Sequence, residues 1–576
     1  MKRVLLLLTI LVTALVAQTL LSAPGSALGA QTFLSAAGSG ETAAAAGVDL
    51  VLVNGNIYTG DAGLGRVEAL AITEGKIAAA GTNEEIQHWV GARTRVLDLE
   101  GNFVMPGFND AHTHFGSGGQ GMLNVNVEGS RSLAEFQERI RARLDEFEPG
   151  EWIAGRGWDH SLWKENRVPT RADLDAVSST HPMLFRRVDG HSAVANSLAL
   201  EKAGITRATP DPEGGAIVRD PDGEPTGWLK ENAISLAGRL MPAPDRARRK
   251  RGLLLALEDA ARWGVTSIQD NSEWEDFLAL RELKEEGKLT LRVTEWLAFN
   301  NSVERLEEKR AAGGTTDPWL KTGALKGVTD GSGGSLSAAM LEPFANAPDN
   351  RGILLYDPEQ LKKMAVDRDA ARMQVALHAI GDRANRAVLD AFEQAWKINQ
   401  RRNARHRVEH AQFLARDDIA RFQELGVVAS MQPSHLLSDL RWAPTILGPE
   451  RYHQGYPWQT LLESGAVLAF GTDYPVEPLS PFRGLYASVT REFEDGGPLG
   501  GWQPGEKISI ADAIRAYTWG AAYAEFEEHR KGTLAPGNFA DLIVLSQDIT
   551  RLPPSELLRT EVLRTLVGGK TVYEKR

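Results

Sequence analysis

The sequence predicts an α/β protein: a (β/α)8 TIM barrel with a large insertion after its first strand, flanked by a small β-sandwich built from both termini. Three observations lead there. The middle of the chain alternates strand-like and helix-like runs, the pattern of a parallel sheet with helices on its outer face. Each end carries short strands punctuated by Gly turns, too few to stand as a sheet alone. Roughly 150 residues separate the first predicted barrel strand from the second, far more than one connecting helix needs.

Taken in order, the chain opens on Met1-Lys2-Arg3, a cationic start. Residues 4–21 are almost wholly apolar, and the small-residue stretch Ser22-Ala23-Pro24-Gly25-Ser26-Ala27-Leu28-Gly29-Ala30 follows. That is the order of a secretory signal peptide over residues 1–30, removed on export to a periplasmic or extracellular space. An uncleaved membrane anchor is the alternative, because the apolar run approaches spanning length. Residues 31–47, rich in Ala, Gly, Ser and Thr, read as a flexible linker. Order is expected from Val48.

Residues 48–101 read as the first part of the β-sandwich. Residues 49–58 alternate and turn at Asn54-Gly55, residues 71–81 form a hairpin around Glu74-Gly75, and residues 94–99 make another strand. Residues 102–527 hold the barrel, with strands expected near 103–112, 265–269, 289–297, 323–329, 374–379, 407–411, 427–432 and 467–471. Helices are expected between most of them, such as 382–396 and 417–425. The inserted subdomain spans 116–245 and carries Trp152, Trp158, Trp163, Trp228, Phe185, His160 and His191. Residues 528–576 complete the sandwich, with strands at 540–545 and around the Gly568-Gly569 turn.

Composition narrows the function. A chain of 576 residues is too long for one core. The formal charge of −12, which becomes −14 once Lys2 and Arg3 are removed, argues against a nucleic-acid partner and leaves a small-molecule substrate. The one basic run, Arg246-Ala247-Arg248-Arg249-Lys250-Arg251, precedes an apolar helical stretch and reads as a solvated helix face. There is no cysteine, so disulfides, thiolate ligands and a lipid-modified cysteine are excluded. A membrane enters only if the N-terminal segment stays uncleaved, and a homodimer is compatible with everything above.

The chemistry is carried by what ends the predicted strands. In Val104-Met105-Pro106-Gly107-Phe108-Asn109-Asp110-Ala111-His112-Thr113-His114, the two imidazoles at i and i+2 point to one face of a strand. The fourth strand ends near Lys326, the fifth at His378, the sixth at His410 and the eighth at Asp473. Each alone reads as an ordinary rim residue. Together they bring nitrogen and oxygen ligands to the C-terminal face of a barrel, where active sites form, and point to a metal. Paired-carboxylate glycosidase chemistry is disfavoured, because the strand ends carry mostly His.

With these residues in place, the chain resembles the amidohydrolase superfamily, in the branch of YtcJ-like proteins and N-substituted formamide deformylases (amidohydrolase family 3). The motifs are PGFNDAHTHF, LKGVTDGSGGSLSAAM, ALHAIGDRANRAVLDAF, RHRVEHAQ, GTDYPVEPLSPF and KGTLAPGNFADLIVL, and the likeness runs from about Asp49 to the end. The resemblance implies that His112 and His114 bind the more buried metal with Asp473, that His378 and His410 bind a second, and that Lys326 bridges both as an N-carboxylated lysine. Lys321 and Lys230 compete for that last role, although Lys321 precedes its strand and Lys230 lies in the insertion. Zn²⁺, one ion or two, is the default for such ligands, with Mn²⁺, Fe²⁺ or Co²⁺ as substitutes.

The implied activity is hydrolysis of a non-peptide C–N bond in an amide, formamide or cyclic amide by metal-activated water, with Asp473 moving the proton. His191, in Asp189-Gly190-His191-Ser192-Ala193, is a candidate to orient the substrate carbonyl. Asp330, Gly331 and Ser332 are expected near the metals. Glu409 is expected to point to the opposite face from His410 in a supporting role. Rival readings are an esterase or lactonase on the same metal site and a catalytically silent exported binding protein on this scaffold.

Overall fold

The computed structural model describes residues 48–187, 192–212 and 214–576. The expected signal segment and linker lie outside the described residues. Eight parallel strands run in chain order around one sheet: Phe108–Thr113, Val265–Asp270, Arg292–Ala298, Leu320–Val328, Val375–Ala379, Arg407–His410, Val428–Met431 and Leu468–Phe470. They are short and buried, as parallel strands covered on both faces must be. The helices outside begin where the sequence supplies a cap. Asp245 accepts the Arg248 N–H before Arg246–Arg262, Ser302 accepts the Arg305 N–H before Val303–Gly313, and Asp357 accepts two N–H groups before Pro358–Ala370.

The seam between the last strand and the first is closed by the Asp110 side chain and one isolated backbone bridge, Thr113 to Tyr474, rather than by a continuous ladder. The Asp110 carboxylate accepts the Thr472 N–H at 2.9 Å, the Thr472 hydroxyl at 2.6 Å and the His112 N–H at 3.1 Å. The Asp473 N–H then donates to the His112 carbonyl at 2.8 Å. Gly471 makes this approach possible, since a Cβ there would stand 2.6 Å from both Asp110 Oδ1 and the His112 nitrogen.

One reading of the N-terminal half needs correction. The run expected as one strand over 103–112 is two. Phe103–Pro106 joins a six-stranded sheet of the sandwich, and Phe108–Thr113 enters the barrel. Gly107 lies between them, where a Cβ would collide with Thr266. The expected turn at Asn54-Gly55 is present, between strands of different sheets. Leu50–Val53 belongs to a four-stranded sheet and Asn56–Tyr58 to the six-stranded one, so this turn carries the chain from one layer to the other. Glu74-Gly75 does form the tight hairpin, with both residues at positive φ.

The six-stranded sheet interleaves both ends of the chain, since Leu542–Leu545 pairs antiparallel with Phe103–Pro106. A second six-stranded sheet, made of Gly215–Arg219, Pro225–Glu231, Ser192–Ala195, Met183–Arg187, Ile153–Trp158 and Val125–Asn126, forms the body of the insertion. Trp158 and Trp163 are buried there against Phe136 and Phe185, and Trp152 lies in a neighbouring apolar cluster. The basic run at 246–251 is not simply solvated. Arg249 is buried and pairs with Asp276 at 2.8 Å and Glu273 at 2.6 Å, while Arg246, Arg248 and Lys250 each meet a glutamate. The run is an ion-paired helix face packed on its neighbours.

Sandwich and barrel are locked by Arg292, which begins the third barrel strand. Its guanidinium donates to both Asp541 oxygens, at 2.6 and 2.9 Å, and lies over the Phe539 ring at 3.7 Å. Both charges are buried, so removing one strands the other. Asp541→Ala is expected to lower stability by about 3–5 kcal/mol, read as a lower urea midpoint, with the metal site's stoichiometry unchanged in the folded protein.

Candidate metal centre at the barrel mouth

Five of the sequence-predicted ligands converge at the C-terminal ends of the strands. His112 is wholly buried, with Nδ1 2.7 Å from Glu409 Oε2 and Nε2 2.9 Å from Lys326 Nζ and 3.5 Å from Asp473 Oδ1. His114 Nε2 lies 3.1 Å from the same Asp473 oxygen, and its Nδ1 is 3.1 Å from the Asn271 carbonyl. In both rings Nδ1 faces a carboxylate or carbonyl and therefore carries the proton, which leaves the Nε2 lone pair facing the centre. The His410 ring centroid is 5.0 Å from that of His112. Asp473 and His410 both have positive φ, at 58° and 74°, in a region uncommon for side-chain-bearing residues.

His378 is placed differently. Its ring packs against His410 at 4.4 Å, but its Nε2 faces the Gly331 carbonyl at 3.1 Å and Asp330 Oδ1 at 3.3 Å. Asp330 itself accepts the backbone N–H groups of Ala339, Ile380 and Gly381, so it shapes the loops around the site. Of the three candidate lysines, Lys326 stands at the centre. Lys230 lies over the Trp228 ring in the insertion, and Lys321 pairs with Glu527 beneath the barrel. His191 lies outside the described residues.

Sequence reasoning missed His435, which lies in the short helix His435–Asp439 beyond the seventh strand, its Nε2 3.5 Å from Asp473 Oδ2. The available signal was Gln432-Pro433-Ser434-His435, a histidine just past a strand end. Glu409 also departs from expectation. It and His410 both reach the barrel interior, because the chain leaves the extended conformation at His410 and the two-residue alternation ends there.

The donor set fits a cation. The ligand atoms of His112, His114 and Asp473 lie within 4.8 Å of one another, as do those of His410, His435 and Asp473. Among the described residues, Asp473 Oδ1 and His410 Nδ1 are buried without a hydrogen bond, a costly condition that a shared cation would relieve. Burial, then the Lys326 charge, pushes His112 down to about 4. Burial and His378 push His410 well below its ordinary value, so both rings are neutral. Asp473 stays ionised, its carboxyl held well below its ordinary value although burial opposes the charge. Neutral imidazoles around an ionised carboxylate are what a divalent metal requires.

Beneath His112 lies the support. Burial opposes a charge on Glu409, yet Arg407 and His112 hold it down at about 2. Arg407, fully buried, donates to Glu409 Oε1 at 2.7 Å, the Ala111 carbonyl at 2.8 Å, Ser430 Oγ at 2.8 Å and the Gln269 side-chain oxygen. Ser430 passes its own proton to Glu409 Oε2 at 2.6 Å. Burial also pushes the Lys326 amine down to about 8.

The chain matches the amidohydrolase family model over residues 95–573. It is 36% identical over 91% of both chains to Protein LONG AFTER FAR-RED 3 of Arabidopsis thaliana. It is 32% identical to the putative amidohydrolase YtcJ of Bacillus subtilis, over 88% of this chain and 96% of that one. It is 28% identical to the N-substituted formamide deformylase of Arthrobacter pascens, over 92% and 98%. Among solved structures, an uncharacterised metal-dependent hydrolase from Pyrococcus horikoshii superposes with a TM-score of 0.73 at 29% identity, over 88% of this chain and 99% of that one.

Two outcomes follow from this geometry. Glu409→Gln removes the charge that fixes the His112 tautomer, and metal affinity measured by chelator competition should fall about 10–100-fold. Asp110 provides a pH test. Burial raises its carboxyl to about 7, so between about pH 4, where the unfolded carboxyl releases its proton, and about 7 the folded protein keeps a proton that the unfolded chain has lost. The stability it contributes is complete below that window and is lost as pH rises through about 7. In metal-free protein, the fall in melting temperature from pH 5 to pH 8 should be smaller in Asp110→Asn than in wild type.

Proposed function

We propose, from the premise that this chain belongs to the amidohydrolase family, in the branch of YtcJ and the N-substituted formamide deformylase, that it hydrolyses a non-peptide C–N bond of a small amide, formamide or cyclic amide. Metal-dependent hydrolysis is the family's chemistry. The bond cleaved is our reading, supported by the name of the deformylase relative. The observation that carries it is the convergence of His112, His114 and Asp473 on one point, beside His410 and His435, with buried polar atoms left unpaired.

His112 and His114 would hold the cation through Nε2, together with an oxygen of Asp473, and His410 faces the same space. Zn²⁺ suits this set. A cation held there polarises a carbonyl and lowers the pKa of water. Among the described residues Asp473 is the one carboxylate facing both histidines of the first strand, which suits it to take the proton from the attacking water. The water oxygen bonds to the carbonyl carbon, the C–N bond breaks, and Asp473 returns the proton to the departing nitrogen. Lys326, whose amine burial brings to about 8, has free base available to add CO₂, and its carbamate would replace a cation beside the metals with an anion. His191 is a further candidate to orient the carbonyl. The apolar leader at residues 4–21 supports export as the setting.

The test is elemental analysis of metal-replete protein joined to a screen of N-formyl and N-acyl amines, with the matching esters in parallel. Amide turnover that a chelator removes and added metal restores is expected. Faster turnover of the esters would move the scissile bond to C–O. His112→Ala should reduce kcat/KM by at least about a thousandfold, a loss of about 4 kcal/mol in transition-state stabilisation. Full activity in that variant would end the mechanism.

A further inference from the structure

The seventh barrel strand, Val428–Met431, is followed by a tight turn in which His435 N–H donates to the Gln432 carbonyl and Leu436 N–H to Pro433. The helix that starts there turns the His435 imidazole inward. Its residue is buried, and its ring lies 5.9 Å from His410 in a near-parallel arrangement. Nε2 faces Asp473 Oδ2 at 3.5 Å and has no other partner among the described residues. On the far side of the ring, the Gln412 amide nitrogen lies 3.3 Å from Nδ1. An amide N–H directed at Nδ1 meets its lone pair, which places the ring proton on Nε2.

The two oxygens of Asp473 thereby face different neighbours. Oδ1 faces His114 at 3.1 Å and His112 at 3.5 Å, while Oδ2 faces His435. A carboxylate that must both face a cation and move a proton needs its two oxygens held to separate tasks. A backbone at positive φ, as at Asp473, sets the direction of the side chain but leaves its last torsion free.

We infer that His435 is a positioning residue for Asp473: its Nε2–H donates to Asp473 Oδ2 and so keeps Oδ1 turned to the point shared by His112 and His114. With the proton on Nε2, His435 has no lone pair there for a metal, so it acts through the carboxylate and not as a ligand. With a cation in place this 3.5 Å contact would shorten to hydrogen-bond length. This inference rests on the metal-hydrolase reading above, and metal binding tests it without any knowledge of the substrate.

The experiment compares metal-replete wild type with His435→Phe, His435→Gln and His435→Asn, using elemental analysis for stoichiometry and chelator competition for affinity. A Gln amide can present an N–H where Nε2 stands; Asn is too short and Phe has no donor. His435→Phe and His435→Asn should keep the wild-type metal-to-protein ratio but bind about 10–100-fold more weakly, and His435→Gln should bind within a few-fold of wild type. On an amide turned over by wild type, kcat should fall in the first two with KM little changed, and recover in His435→Gln. Should His435→Phe fail to fold, the Asn and Gln pair carries the same contrast. Loss of one metal equivalent in His435→Phe or His435→Asn would make His435 a ligand and overturn the inference. Unchanged affinity, or a His435→Gln as weak as His435→Asn, would overturn it too. Wild type that binds no metal would instead remove the metal-hydrolase reading, and this inference with it.

Discussion

The site depends on one buried chain of hydrogen bonds: Arg407 to Glu409 to His112. All three side chains are fully buried. Barrels of this kind commonly fill their interior with layers of branched apolar residues. Here a guanidinium lies inside the barrel, its donors met by Glu409, Gln269, Ser430 and the Ala111 carbonyl, with its charge 4.7 Å from the centre of the Trp296 ring. Such a group is tolerable only if every partner is in place. The arrangement in turn dictates which nitrogen of His112 faces the barrel mouth. A lower polar layer repeats the principle. Glu525 joins Lys531 at 2.6 Å and Asn109 at 2.8 Å, and Lys321 pairs with Glu527.

This polar interior ties the geometry of the mouth to the whole barrel. His112 lies on the first strand, Glu409 and Arg407 on the sixth, Ser430 on the seventh and Gln269 on the second. A shift of any of these strands would leave a buried donor or acceptor unpaired, at a cost of about 1–3 kcal/mol for each. The seam adds a second constraint, because the Asp110 contacts that join Thr472 to the first strand also set where Asp473 begins. Positive φ at His410 and Asp473 is then enforced by the surrounding packing, a common condition at working sites.

The two ends of the barrel divide the labour. The C-terminal rim carries the histidines and Asp473. The N-terminal side carries the Arg292–Asp541 lock to a sandwich whose central sheet needs strands from both ends of the chain. That sheet forms only when residues near 104 and 543 meet, a closure whose entropy cost a folded barrel between them lowers.

The parallel barrel, the sandwich shared between the termini and the insertion were legible because hydrophobic periodicity and turn residues are local signals. The meeting of His112, His114, His410, Lys326 and Asp473 at one end of the barrel was legible because strand ends locate them, whereas His378 turns its Nε2 to the Gly331 carbonyl and Asp330. Tertiary structure alone decided the rest. It split 103–112 between two sheets, because an apolar run does not reveal which neighbour it pairs with. It turned Glu409 and His410 toward the same interior, because a single positive φ breaks an alternation that the sequence implies. It also brought in His435 and Arg407, whose local sequence resembles any loop histidine or strand arginine. Ligand type is written in the chain. Which lone pair faces inward, and what holds it there, depends on contacts between residues hundreds of positions apart, which only the closed barrel brings together.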